Sequence, residues 1–306
     1  MSDGVTRATD RLRFDGRTVV VTGAGSGLGR AYALEFARRG ASVVVNAPGA
    51  RLEGGTSASP AAAVVAEITA AGGRAIASTD SVLEGGCIID AALTAFGSVD
   101  VLVNNAGIIR DRSFARMTEE DWQAVLDVHL TGAWRTTQAA WKHMLQRQYG
   151  RILFTSSAAG LYGNFGQANY GAAKLGLVGL MRTLAREGAA KNICSNAIAP
   201  LATTPATQAV MPGELAGKLN PGQVVALVVL LAHESSAENG ALFEAGGGWF
   251  ACLRWERSQG VHFAPDQALD AETLAARWAD VVDFSAGSEH PQSVADTLRR
   301  AAGALP

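Results

Sequence analysis

Short runs of β-branched and aliphatic residues alternate with longer stretches of helical periodicity along most of the chain. The runs at Arg17–Gly23, Ala41–Asn46, Arg74–Asp80, Val99–Gly107, Gly150–Ser157, Ile193–Pro200 and Ala241–Trp249 predict seven strands. They are almost continuously apolar, as strands covered on both faces are. Between them, the spacing predicts helices over 29–39, 61–72, Cys87–Phe96, Asp121–Leu145 and Tyr170–Gly188, the first closed by Gly40. Strand and helix in strict alternation give an α/β, doubly wound, seven-stranded and mostly parallel sheet with helices on both faces. Residues 1–250 are expected to form this domain. Residues 251–306 have a different pattern, with Asp270 as an N-cap and Pro291 near a helix start. They predict a two-helix extension packed on the same domain, because so short a segment buries little core of its own.

Composition narrows the function classes. Of 306 residues, 48% are hydrophobic and 18% charged, with a net charge of −2, so the basic footprint of a nucleic-acid-binding protein is missing. Cys87, Cys194 and Cys252 are far apart, without a CxxC or metal-ligand spacing, and read as three reduced thiols with no metal site. The longest apolar run, Val224 to Ala232, is too short to span a bilayer. The charged N-terminal sequence and a C-terminal AAGALP without a retention or peroxisomal address predict a cytoplasmic protein.

Two stretches bear on chemistry. Thr22–Gly29 (TGAGSGLG) falls where the first strand turns into the first helix. Its spacing is T-G-x-x-x-G-x-G on Gly23, Gly27 and Gly29, because a G-x-G-x-x-G fit from Gly23 would put its last glycine at Leu28. Glycines there permit a tight turn and close approach of backbone to a pyrophosphate, with the helix N-terminus facing the phosphates; a plain turn is the alternative. The second stretch, GNFGQANYGAAKLGL, places Lys174 four residues after Tyr170 among small residues. On a helix the two share a face, so the ammonium can favour the phenolate; a surface pair is the bland alternative.

With these motifs the chain resembles the short-chain dehydrogenase/reductase family over roughly residues 14–250. TGAGSGLG, NNAG at Asn104–Gly107, Ser157 and Tyr170-x-x-x-Lys174 come in the family's order. The resemblance implies a Rossmann-type fold and transfer of a hydride between NAD or NADP and a secondary alcohol or ketone. It gives Tyr170 the role of acid/base, Lys174 that of lowering its pKa and binding the nicotinamide ribose, and Ser157 that of orienting the substrate oxygen. Cofactor contacts are implied at Gly23, Ser26, Gly27, Leu28, Gly29, Asn46, Asp80, Ser81, Asn105, Ala106, Gly107, Tyr170, Lys174 and Pro200. Within the family, YGNFGQANYGAAKLGLVGL and LRWERSQG resemble the (3R)-hydroxyacyl-CoA dehydrogenase units of multifunctional enzymes and their bacterial single-domain relatives. That likeness implies oxidation of a (3R)-hydroxyacyl-CoA to the 3-ketoacyl-CoA, with NAD, in a homodimer or homotetramer. A 17β-type hydroxysteroid dehydrogenase and a 3-oxoacyl-carrier-protein reductase are the alternatives on the same scaffold. A dinucleotide-binding sensor without turnover is the alternative of another class.

The chain departs from the family pattern twice. His129 stands where the family has an asparagine that holds a relay water, and serves either the relay or helix packing. Ala47 follows Asn46 where NAD-preferring relatives have an acid, and Arg51 is the nearby candidate for a 2′-phosphate. Arg110, Arg112 and Arg116 are read either as coenzyme A phosphate contacts or as partners of Asp111, Glu119 and Glu120. Trp249, Phe250 and Trp255 are read as pocket or core residues.

Overall fold

The computed structural model describes residues 12–48, 59–203, 217–264 and 266–302. Arg51 lies outside them. The chain forms two compact units, residues 1–252 and 253–306.

In the first unit, strands β1 (Thr18–Val21), β2 (Ser42–Asn46), β4 (Val101–Asn104) and β5 (Gly150–Thr155) are buried at every position. Together with β3 (Arg74–Ser78), β6 (Ile193–Pro200), β7 (Leu242–Gly246) and β8 (Trp249–Leu253) they make one sheet, ordered β3-β2-β1-β4-β5-β6-β7-β8. Strands β1 to β7 pair in parallel. The sheet thus has eight strands rather than the seven expected. The glycine run that reads as the end of the last strand is instead a turn. Gly247 and Gly248 adopt φ of +59° and +81°, a conformation suited to a two-residue reversal, and the chain re-enters the sheet as β8. Trp249 and Phe250 on β8 are about half exposed, as is Trp255, so none of the three is a core residue.

Helices α1 (Gly27–Arg38), α2 (Pro60–Ala70) and α8 (Pro221–Ala232) share one core cluster with β1 and β2. Helix α3 (Gly85–Phe96) packs on α5 (Gly132–Arg147), and α4 (Glu119–Leu126) on α7 (Ala168–Gly188). The single helix expected over 121–145 is therefore two helices. Residues Asp127–Thr131 between them form a π-helical turn, in which the Gly132 N–H donates to the Asp127 carbonyl five residues back. One extra residue per turn changes the hydrogen-bond register without altering the amphipathic pattern. The apolar run at 224–232 lies on α8, where all but Ala226 and Leu230 are buried; among the described residues no helix is long and apolar enough to cross a membrane.

The described residues of the second unit form three short helices and a two-stranded ladder rather than two helices. Strands β9 (Arg257–Ser258) and β10 (Ser288–Glu289) pair antiparallel, tied by Arg257 to Glu289 at 2.5 Å. Helix α9 (Ala271–Ala275) is capped by Asp270, α10 spans Trp278–Val281, and α11 (Val294–Ala301) starts with a Ser293/Asp296 capping box.

Candidate active site

A cleft of about 430 Å³ opens at the carboxyl ends of β1, β4, β5 and β6, where doubly wound sheets bind ligands. Gly23 and Gly27 of the glycine turn line it, with φ of +64° and +54°. A Cβ on Gly23 would lie 2.7 Å from the Ala106 Cα, and one on Gly29 would lie 2.3 Å from the Gly23 carbonyl oxygen. Both positions are thus closed to side chains, Gly29 by packing behind the turn. Ser26 is the N-cap of α1, yet its side chain accepts no capping hydrogen bond, so the first N–H groups of the helix face the cleft.

Thr22 joins this turn to the NNAG segment. Its Oγ1 accepts from the N–H of Asn105 at 3.0 Å and of Ala106 at 3.1 Å, while Asn105 Nδ2 donates back to the Thr22 carbonyl at 3.0 Å. Asn105, Gly107 and Pro200 line the cleft together with Ser26 and Leu28. Asn46, Asp80, Ser81 and Ala106 are not among its lining residues. Asn46 is fully buried and donates to Ser78 Oγ and to the Asp80 carbonyl, Asp80 accepts from Ser78 Oγ, and Ser81 caps the turn that follows. They brace the end of β2 from behind. Ala47 does line the cleft, as Pro60 and Gly25 do, and no carboxylate is among the described residues that line it.

Ser157, Tyr170, Lys174 and His129 meet in the same cleft. Ser157 lies just past the end of β5 and caps α6 (Ala158–Tyr162), with its Oγ accepting from the Ala159 N–H at 3.2 Å. Tyr170 and Lys174 lie one turn apart on α7, with the Lys174 Nζ 5.4 Å from the Tyr170 ring centre. Lys174 is buried, and its Nζ donates to the Thr155 carbonyl at 2.6 Å. Burial pushes Lys174 down to about 7. Burial also pushes the Tyr170 phenol above its ordinary value, and the Ser157 hydroxyl pulls it the other way. Asp111 adds to the rise.

His129 sits in the π-helical turn, 3% exposed, its ring edge-on to Tyr170 with centroids 5.1 Å apart. The Ile108 N–H donates to its Nε2 at 3.0 Å, and the Ile108 carbonyl is 2.7 Å from the same atom. Its Nδ1 is buried without a hydrogen-bond partner among the described residues. Burial first, then Lys174, pushes its pKa down to about 3, so the imidazole is neutral at physiological pH. A Cβ at Gly107 would lie 2.3 Å from the ring, which explains the glycine there.

Sequence reasoning missed the groups that hold these side chains. Asn169 is buried, donates to the carbonyls of Arg110 and Asp121, and accepts the Tyr170 N–H at 2.8 Å. Nothing in its residue type separates it from an ordinary first-turn asparagine. Of the arginines after NNAG, Arg110 pairs with Glu120 at 3.0 Å and Arg112 with Asp121 at 2.6 Å. Asp111 instead accepts from Gln167. None of the three cysteines is in a disulfide, and the described residues contain no cluster of metal-ligating side chains.

Residues 17–214 match the family model for short chain dehydrogenases. The chain belongs to that family, and is thus an NAD(P)-dependent oxidoreductase acting on the CH–OH group of a small molecule. It is 53% identical over 288 residues to the peroxisomal multifunctional enzyme type 2 of Mus musculus, a match covering 94% of this chain and 39% of that protein. The structure of full-length peroxisomal multifunctional enzyme type 2 from Drosophila melanogaster superposes with a TM-score of 0.82 at 42% identity, covering 96% of this chain and 50% of that one. A short chain dehydrogenase from Mycobacterium avium superposes at 0.78 with 41% identity, covering 88% and 95%. The chain thus spans half or less of the two multifunctional relatives. Their names also correct the expected cytoplasmic location: both are peroxisomal enzymes. Location is read from short address signals, not from the fold, and so eludes reasoning from motifs of catalysis.

Proposed function

We propose that the chain oxidises (3R)-hydroxyacyl-CoA to 3-ketoacyl-CoA with NAD. The observation that carries this reading is the convergence of Ser157, Tyr170 and Lys174 on the cleft bounded by the glycine turn and the N-terminus of α1. The residues fit a nicotinamide dinucleotide. Gly23 leaves backbone exposed to a pyrophosphate, α1 presents uncapped N–H groups, and Lys174 has two further N–H bonds to offer ribose hydroxyls beyond its bond to Thr155. When bound, the cofactor supplies the hydride acceptor and a positive ring charge. Tyr170 Oη takes the proton of the substrate hydroxyl as the carbon-bound hydrogen leaves with its electron pair and the C–O bond becomes C=O. Ser157 Oγ holds the same substrate oxygen. Lys174, charged once its remaining protons are bonded, stabilises the phenolate of Tyr170. A homodimer through α5 and α7 accompanies this reading, supported by the exposed Trp134 and Leu175 on those helices.

The test is an initial-rate screen of NAD and NADP against (3R)- and (3S)-hydroxyacyl-CoAs and 17β-hydroxysteroids. NAD-dependent turnover of the (3R) thioesters is expected. Turnover confined to the steroids, or to the (3S) series, overturns the substrate assignment. No turnover of any alcohol returns the chain to the sensor reading. Tyr170→Phe should cut kcat by about 10² or more while NADH still binds; near-normal turnover would remove Tyr170 from the mechanism.

A further inference from the structure

Glu244 is an acidic side chain in the middle of β7 that the proposed chemistry does not use. The residue is only 8% exposed, and among the described residues the one group that hydrogen-bonds its carboxylate is the Tyr162 hydroxyl, at 2.8 Å. Tyr162 itself is 66% exposed, so the ring lies outward and its hydroxyl reaches inward. A carboxylate kept from water needs a donor. The Tyr162 phenol is protonated at neutral pH, and its hydrogen bond to Glu244 raises its pKa further, so it is the donor of the pair.

The pair lies at the far end of the element that presents Ser157. Helix α6 has five residues, with Ser157 as its N-cap and Tyr162 as its last residue. So short a helix has little rigidity of its own, since propagation cannot offset nucleation over one turn. Its middle is pressed onto α7 where the other two catalytic groups sit. A Cβ on Gly160 would lie 2.8 Å from the Lys174 Cβ, and one on Gly171 would lie 3.2 Å from the Ala159 carbonyl. Past Tyr162, Gly163 turns away at φ +78° and Phe165 is 90% exposed, and the chain is next tied down at Gly166, whose carbonyl accepts from the Arg112 N–H at 2.9 Å. The helix is held at its start by β5, at its middle by α7, and at its last residue by the Tyr162–Glu244 hydrogen bond.

We infer that Glu244 and Tyr162 are positioning residues that tie α6 to β7 and thereby hold the Ser157 hydroxyl at its working place. The inference rests on the proposed role of Ser157. Displacement of a reacting group by about 1 Å is enough to cost up to about a hundredfold in rate.

The experiment uses the full chain, with (3R)-hydroxydecanoyl-CoA and NAD. Tyr162→Phe should lower kcat about tenfold, with the NADH dissociation constant unchanged and the protein folded by circular dichroism. Glu244→Gln keeps an oxygen that accepts from Tyr162, so it should stay within about threefold of the parent. In a Ser157→Ala background, Tyr162→Phe should have no further effect, because the residue it positions is gone. A purely structural role would lower stability equally in both backgrounds and leave kcat alone. Parental kcat in Tyr162→Phe beside an impaired Ser157→Ala overturns this inference only. A Tyr162→Phe loss of equal size in both backgrounds does the same. Parental kcat in Ser157→Ala overturns the reading of the site as well.

Discussion

Replacing His129 by asparagine tests whether a neutral imidazole is built into the floor of the cleft. The ring is 3% exposed, beside Lys174, and its pKa falls from 6.5 to about 3. Desolvation is the larger cause and Lys174 the second, with Ile108 acting in the opposite direction. The folded state therefore refuses a proton that the unfolded chain accepts between about pH 6.5 and pH 3. Stability from the neutral ring is fully present above that window and is lost as pH falls through it. Each pH unit well inside the window costs about 1.4 kcal/mol, so going from pH 6.5 to pH 4.5 costs about 2 kcal/mol through this residue alone. Asparagine does not titrate, and the other groups cancel between the two proteins. Urea unfolding at several pH values should give His129→Asn a lower stability at neutral pH, because the ring's packing against Gly107 is lost, but a flatter decline toward acid. The two curves should converge by about 2 kcal/mol over that interval. Parallel curves would mean that the ring takes up a proton in the folded state, by opening to water or pairing with an acid, and would refute the buried neutral imidazole.

Three further outcomes follow from geometry. Gly29→Ala puts a methyl 2.3 Å from the Gly23 carbonyl oxygen and 2.6 Å from Asn105 Nδ2, so the glycine turn has to move; NADH affinity measured by fluorescence titration should fall about tenfold or more, and an unchanged affinity would dissociate the turn from the cofactor. Ala47→Asp adds a carboxylate to a cleft lined by none and should lower the KM for NAD and nearly abolish use of NADP, a discrimination of about 2–4 kcal/mol; equal kinetics with both cofactors would place the adenosine ribose elsewhere. Light scattering at micromolar concentration should give at least twice the 31.7 kDa of the chain, and a monomer would remove the dimer.

The sequence made the sheet legible because its strands are β-branched and buried on both faces, as Val19–Val21 and Val43–Val45 are. Helix starts and glycine spacing placed the turn at Gly23 and the Tyr170/Lys174 pair for the same reason: each is a local signal within a few residues. The failures are contacts carried by backbone atoms, which have no residue signature. The Thr155 carbonyl that takes Lys174 and the Ile108 peptide that grips His129 belong to this class. So does the positive φ of Gly247 and Gly248 that returns β8 to the sheet. Asn46, implied as a cofactor contact by the family resemblance, is not among the residues lining the cleft, and its Nδ2 donates to Ser78 and Asp80.

The π-helical turn at Asp127–Thr131 also adds a residue without disturbing the helices on either side. On its amino side, Asp121 of α4 takes Arg112 at 2.6 Å and its carbonyl takes Asn169 Nδ2 at 3.0 Å. On its carboxyl side, Thr137 of α5 accepts from Asn104 Nδ2 at 2.9 Å, and Gly132 meets Val82 closely enough to exclude a Cβ. A π turn winds one more residue into nearly the rotation that an α-helix completes at about 100° per residue. Deleting one residue of the turn would therefore let α4 run into α5 as a single α-helix, with both flanking sets of contacts nearly in phase. The loss would be local, because the widened turn is where His129 meets Tyr170 and Ile108. The extra residue serves the cleft rather than the packing of the two helices.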